Sequence, residues 1–136
     1  MSKTKTTKLA DIQEWTWPYS PKHLGDALRI KNLITEDIDA FEGVDGRISF
    51  SIGILERRGD AHVLHYHNKE TGIYYVLRGR ARITVDEKTI DATPGTLIYM
   101  PTKTKHKVVN DGNEPFLMAI IYLRPRLAEF TTEWLE

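Results

Sequence analysis

Gly59-Asp-Ala-His62-Val-Leu-His65-Tyr-His67-Asn-Lys-Glu70-Thr-Gly72-Ile-Tyr-Tyr-Val-Leu-Arg-Gly79 is the stretch from which the rest of the chain is read. His65 and His67 stand two residues apart. In a β-strand that spacing puts both imidazoles on one face, where their ring nitrogens can converge on one ion; in a helix they would diverge. Val63 shares their face. Strict alternation turns His62, Leu64 and Tyr66 the other way, which removes His62 from the candidate ligands and leaves it a surface or packing role. Counted from Gly72, the same period sends Tyr74 and Val76 inward and Tyr75 and Leu77 outward.

Outward from this stretch the pattern stays β. From Arg47 onward, short runs of Ile, Val, Tyr and Phe are separated by turn residues at intervals of roughly 8–12 positions, the signature of a sandwich or barrel. In Arg47 to Leu55, Ile48, Phe50, Ile52 and Ile54 share one face and Ser49, Ser51 and Gly53 the other, so one side is expected to be core. Ala81, Ile83 and Val85 alternate with Arg80, Arg82, Thr84 and Asp86, as in a strand with one face in water. Arg78, Arg80 and Arg82 are read as that solvated face and not as an anion site. Asp86-Glu-Lys, Pro94-Gly95 and Asp111-Gly-Asn are turns. Residues 22 to 33 offer at most a short helical turn, and the tail from Arg124 to Glu136, with Leu127, Phe130 and Trp134 among charges, reads as a closing helix or a dimer contact.

Composition narrows the function. The chain has 136 residues, enough for one ordinary core, and Lys plus Arg equals Asp plus Glu at 19 each. No positive excess exists to neutralise phosphates or an anionic bilayer, so neither nucleic acid nor membrane is expected as a partner. Cysteine is absent, which excludes disulfides, thiolate metal sites and cysteine nucleophiles. Met1 to Lys8 is polar and lysine-rich, unlike a signal peptide, and a soluble, cytoplasmic protein is the expectation. Trp15-Thr-Trp-Pro-Tyr-Ser-Pro places aromatics between prolines, which forbids a regular helix and suits an extended arm on the barrel or on a partner subunit. We therefore expect a leader and arm over residues 1–20 and a single barrel domain over 21–136. His23 has no sequence partner and is assigned a structural or solvent role.

A lone His-x-His is weak evidence. Further along, Gly95, five residues and Pro101 precede His106 and Asn110, just as Gly59 and five residues precede His65. This pair of patterns, over residues 59 to 110, resembles the two motifs of the cupins. The resemblance implies an all-β double-stranded β-helix, a jelly-roll barrel, whose two motifs lie on neighbouring strands and direct their histidines inward. It implies that His65, His67 and His106 are metal ligands. Where the family usually places a glutamate ligand this chain has Gly72, and Lys103 stands where the later motif normally has glycine. Glu70, two residues earlier, is either a substitute donor or a solvated loop residue. A three-histidine site with open positions suits one divalent Fe, Mn, Ni, Zn or Cu ion.

The resemblance also frames the chemistry. A histidine trio without the glutamate is similar to that of thiol and diketone dioxygenases. The Trp-containing arm, His-Tyr-His and the tyrosine two residues after the glutamate slot are similar to cupin lyases that cleave dimethylsulfoniopropionate, in which a tyrosine removes an α-proton. Tyr74 takes that position and Tyr122 is the second candidate catalytic residue; Tyr99, Met100, Phe50 and Met118 are candidates to line the cavity. The expected function is a metal-dependent dioxygenase, or a lyase or isomerase, acting on a small organic molecule. The alternative is a non-catalytic small-molecule-binding or sensor cupin. Cupins commonly pair by exchanging N-terminal strands, which implies a homodimer here.

Overall fold

Alternating apolar side chains leave this chain few ways to bury its surface other than by stacking sheets. The computed structural model describes residues 6–12, 14–18, 23–34, 48–124 and 131–136. Strands β1 (Arg29–Ile34), β2 (Ile48–Leu55), β3 (Ala61–Tyr66), β4 (Thr71–Arg78) and β5 (Ala81–Val85) are followed by β6 (Lys88–Ala92), β7 (Leu97–Met100), β8 (His106–Asn110), β9 (Phe116–Leu123) and β10 (Glu133–Trp134). They form two five-stranded antiparallel sheets, ordered β1-β2-β9-β4-β7 and β10-β3-β8-β5-β6. This is the double-stranded β-helix. Leu28, Leu55, Tyr74, Val76, Ile83, Val108, Phe116 and Met118 form the core between the sheets.

The period-two reading holds in β4 and β7. Tyr74 and Val76 are buried while Tyr75 and Leu77 are exposed, and Ile98 and Met100 point in while Leu97 and Tyr99 point out. Tyr99, 59% exposed, therefore does not line the interior. Strand β2 reverses the expected sense. Ser51, Gly53 and Leu55 stand opposite the core residues Ile120, Met118 and Phe116 of β9, so the small-residue face is the inner one. A Cβ on Gly53 would come within 2.7 Å of Ile120 Cδ1 and 3.1 Å of Leu28 Cδ1, which is why that face is small. Ile52 and Ile54 are buried on the outer face, and Phe50 is half-buried there, outside the interior.

Two other expectations are corrected. In the described part of 22–33 there is a turn at Leu24–Gly25 and then β1, not a helical turn, because Arg29–Ile34 pairs along β2. The described tail forms β10 beside β3, not a helix, since Glu133 and Trp134 pair with Tyr66 and His65. Residues 125–130 of the tail lie outside the described residues. Among the described residues of the arm there is one 3-10 turn, Leu9–Asp11, and Thr16 bridges Ile30 of this chain's own edge strand. Arg78, Arg80 and Arg82 face solvent and pair with Glu114, Asp91 and Asp111. Among the described residues no helix is long and apolar enough to cross a membrane.

Candidate metal centre

The site forms where β3 and β8 run antiparallel with His65 directly opposite His106. His67 follows β3 immediately and comes back over the same face. One nitrogen from each of His65, His67 and His106 lies within 4.8 Å of the others, and all three side chains are buried. Glu70 is not part of this group.

Each ring is aimed by its other nitrogen. Nδ1 of His65 donates to the Val63 carbonyl at 2.6 Å, Nδ1 of His106 to the Thr104 carbonyl at 2.8 Å, and Nδ1 of His67 to the Thr131 carbonyl at 2.7 Å. A carbonyl can only accept, so in each neutral ring the proton is on Nδ1 and the lone pair is on Nε2. Burial keeps the rings neutral. Desolvation, helped by the neighbouring imidazoles, pushes His67 down to about 4 and His106 to about 3, and it holds His65 well below the usual histidine range.

The donor set fits a metal ion. The Nε2 atoms of His65 and His106 are buried with no hydrogen-bond partner among the described residues. Leaving such an atom unsatisfied costs about 1–3 kcal/mol, a penalty that coordination removes. Three neutral imidazoles aimed inward by backbone carbonyls are the arrangement that divalent transition ions select.

The tyrosines named from the sequence meet the histidines. The Tyr122 hydroxyl lies 3.1 Å from His67 Nε2, and the Tyr74 hydroxyl lies 3.3 Å from that of Tyr122. Since His67 Nε2 accepts, Tyr122 donates to it, and Tyr74 is placed to donate to Tyr122. Both tyrosines are buried, Tyr74 completely. The slot expected to hold a glutamate is filled by this tyrosine, because a Cβ on Gly72 would stand 2.8 Å from Tyr122 Cε1.

Other groups were not legible in advance. Glu70 is neither solvated nor turned to the histidines. It is 1% exposed, and its carboxylate accepts from the Thr131 backbone N–H at 2.7 Å and the Thr131 hydroxyl at 3.2 Å. Thr131 thus ties Glu70 and His67 to the tail. The β3–β8 register shifts between His62 and His65, a bulge that breaks alternation and turns both inward. His62 is accordingly fully buried, packs 4.1 Å from His65 and donates from Nδ1 to the Asp26 carboxylate at 2.7 Å. Asp26 also accepts from the backbone N–H groups of Leu28 and Val63. No spacing rule links Asp26 to His62. His23, for which a structural or solvent role was expected, stacks on Trp134 at 4.3 Å, and Trp134 packs 5.0 Å from His65. Lys103 takes a left-handed φ of 67°, the conformation that suits the glycine it replaces, and its N–H donates to the His67 carbonyl at 2.7 Å.

Comparison with known proteins agrees with this architecture. Residues 54–122 match the Cupin domain family, and the chain belongs to it. It is 38% identical over 119 residues to an uncharacterized protein of Methanocaldococcus jannaschii, covering 88% of each chain. It is 35% identical over 65 residues to a glucose-6-phosphate isomerase of Thermococcus onnurineus, covering 43% of this chain and 34% of that one. Among solved structures, KdgF from Halomonas superposes with a TM-score of 0.66 at 15% identity, over 90% of this chain and 96% of that one.

Proposed function

We propose that this cupin is a metal-dependent enzyme that moves a proton on a small carbonyl- or carboxylate-bearing molecule. His65, His67 and His106 hold one divalent transition ion, and Tyr74 is the proton-transfer group. The observation that carries this reading is the buried row from the Tyr74 hydroxyl through Tyr122 to His67 Nε2, which places two hydroxyls beside a nitrogen that would bind the ion. A bound ion supplies Lewis acidity, orients an anionic oxygen and favours the ionised form of a neighbouring hydroxyl. A phenol titrates near pKa about 10 in water, so Tyr74 needs that help to accept a proton at neutral pH. Its full burial keeps competing water away. An isomerase among the relatives supports a reaction of this class, although this chain spans only 34% of that protein.

The three-imidazole set, with Glu70 engaged elsewhere, also suits redox iron or copper and supports dioxygen activation as a second reading. Elemental analysis of untagged protein purified without chelator, beside a His65→Ala/His106→Ala variant, tests the common premise. Near-stoichiometric metal that the variant lacks is expected. Small keto and hydroxy acids incubated in deuterium oxide, with oxygen uptake followed in parallel, then separate the reactions. Deuterium at an α-carbon without oxygen uptake is the expected result, whereas oxygen uptake alone favours the second reading. Tight binding with neither outcome would overturn both and leave a ligand-binding cupin.

A further inference from the structure

The interior holds a second anomaly beside the histidines. A dication among three neutral imidazoles would leave its charge uncompensated in a buried site, and such charge is costly unless an anion is close. The two buried carboxylates among the described residues are committed elsewhere, Glu70 to Thr131 and Asp26 to His62 and two backbone N–H groups. The position from which a glutamate would reach the centre, Gly72, is directly opposite Tyr122 in the β4–β9 register. There the aromatic ring occupies the missing side chain's volume, with Cε1 only 2.8 Å from the site of a Cβ.

We infer that Tyr122 supplies the fourth donor of the metal centre, its phenolate oxygen taking the place that a glutamate at position 72 would fill. The inference rests on the three-histidine reading above and deepens it. Donor atoms bound to one ion at about 2.0–2.2 Å, at angles between right and tetrahedral, stand about 3–3.5 Å apart. The Tyr122 oxygen and His67 Nε2 are separated by 3.1 Å, so the pair already has the spacing of neighbouring ligands. On loading, the phenolic O–H bond breaks, the proton leaves to solvent, and the oxygen lone pair forms the bond to the ion. The phenolate then neutralises one positive charge, and the Tyr74 hydroxyl at 3.3 Å is placed to donate to it.

Iron is the probe, because a phenolate bound to iron(III) gives a visible charge-transfer absorption that imidazole ligands do not. The protein is loaded with iron(II) under argon, desalted and oxidised with ferricyanide, and bound iron is measured with the spectrum. Expected are a visible band with phenolate ring modes in its resonance Raman spectrum, retained in Tyr74→Phe and reduced to baseline in Tyr122→Phe at equal iron content. Should Tyr122→Phe fail to fold or to hold iron, the Tyr74→Phe protein made with 3-fluorotyrosine decides, since ring fluorination shifts the band only if a tyrosine is bound. Bound iron without the band, a band that survives in Tyr122→Phe, or a band that fluorination leaves unmoved would overturn the fourth donor and leave the three-histidine centre intact. Failure of the wild-type protein to bind iron, zinc, nickel, manganese or copper would overturn both.

Discussion

Replacing Gly72 with alanine adds a single methyl group at the crowded contact between β4 and β9. The new carbon would stand 2.8 Å from Tyr122 Cε1 and 3.1 Å from Met100 Cε, against about 3.5–4.0 Å for relaxed carbon contacts. Met100 can swing its terminal methyl at little cost. The Tyr122 ring cannot, because it packs edge-on to His67 at 4.8 Å and its hydroxyl bonds His67 and Tyr74. Forcing that ring back costs about 1–3 kcal/mol, as overpacking does elsewhere. Restricting the unfolded chain returns about 0.4–1 kcal/mol, since Gly72 has no positive φ that alanine would resist. The net expectation is a loss of about 1–2 kcal/mol, or roughly 3–8 °C in Tm. In a Tyr122→Leu background the ring is gone and the same methyl should be tolerated, giving a coupling of about 1 kcal/mol or more between the two sites. Urea and thermal unfolding of the metal-free wild type, both single variants and the double variant measure this. An alanine variant as stable as wild type, or a cycle that closes additively, would refute the claim that Tyr122 fills the vacated slot.

Acid should weaken the metal-free protein well before its carboxylates titrate. His67 and His106 have folded values of about 4 and 3 against about 6.5 unfolded, so the unfolded chain binds more protons in that window and stability falls as pH drops below 6.5. By pH 4 the loss is on the order of 3 kcal/mol for each ring, readable as a falling urea midpoint between pH 7 and 4 and refuted by a flat profile. Glu70→Ala strands the Thr131 N–H and loosens the anchor of His67 Nδ1, with an expected cost of about 1–3 kcal/mol and a metal affinity lowered about tenfold or more in a chelator competition. Unchanged affinity would separate Glu70 from the site. Lys103→Gly removes a left-handed strain of about 1–2 kcal/mol and adds about 0.5–1 kcal/mol of backbone entropy, so a small rise in Tm is expected in a melting curve.

What could be read in advance was whatever depends on local period. The alternation of β4 and the pairing of His65 with His67 follow from two-residue spacing, whereas His106 came only from the resemblance to the second cupin motif; the structure brings the three histidines together. The inward placement of Tyr74 was legible for the same reason; Tyr122 was named without a spacing rule to fix it. The errors arise where an element departs from regularity or where a partner is distant in sequence. A bulge carries no compositional mark, so the inward turn of His62 was invisible. In β2 both faces are buried, and hydrophobicity cannot then tell inner from outer; the closeness of Leu28 and Ile120 to Gly53 decides it. Glu70 looked like a loop carboxylate because its partner, Thr131, lies 61 residues away.

Thr131 joins two events usually treated separately. Its carbonyl orients His67 while its N–H and hydroxyl are held by Glu70, and two residues later the chain enters β10 against the His65 strand. Docking of this segment and capture of an ion therefore share one free energy, since whatever stabilises the oriented imidazole also stabilises the docked tail. An ion held by the three histidines would have local opening at Thr131, which frees His67 to turn away, as one route of release. Residence time, measured by isotope exchange of bound zinc, becomes a property of a few backbone hydrogen bonds at Thr131 as much as of the three imidazoles. Amide protection at Thr131 and Leu135 should rise with metal loading even though neither residue is among the metal ligands.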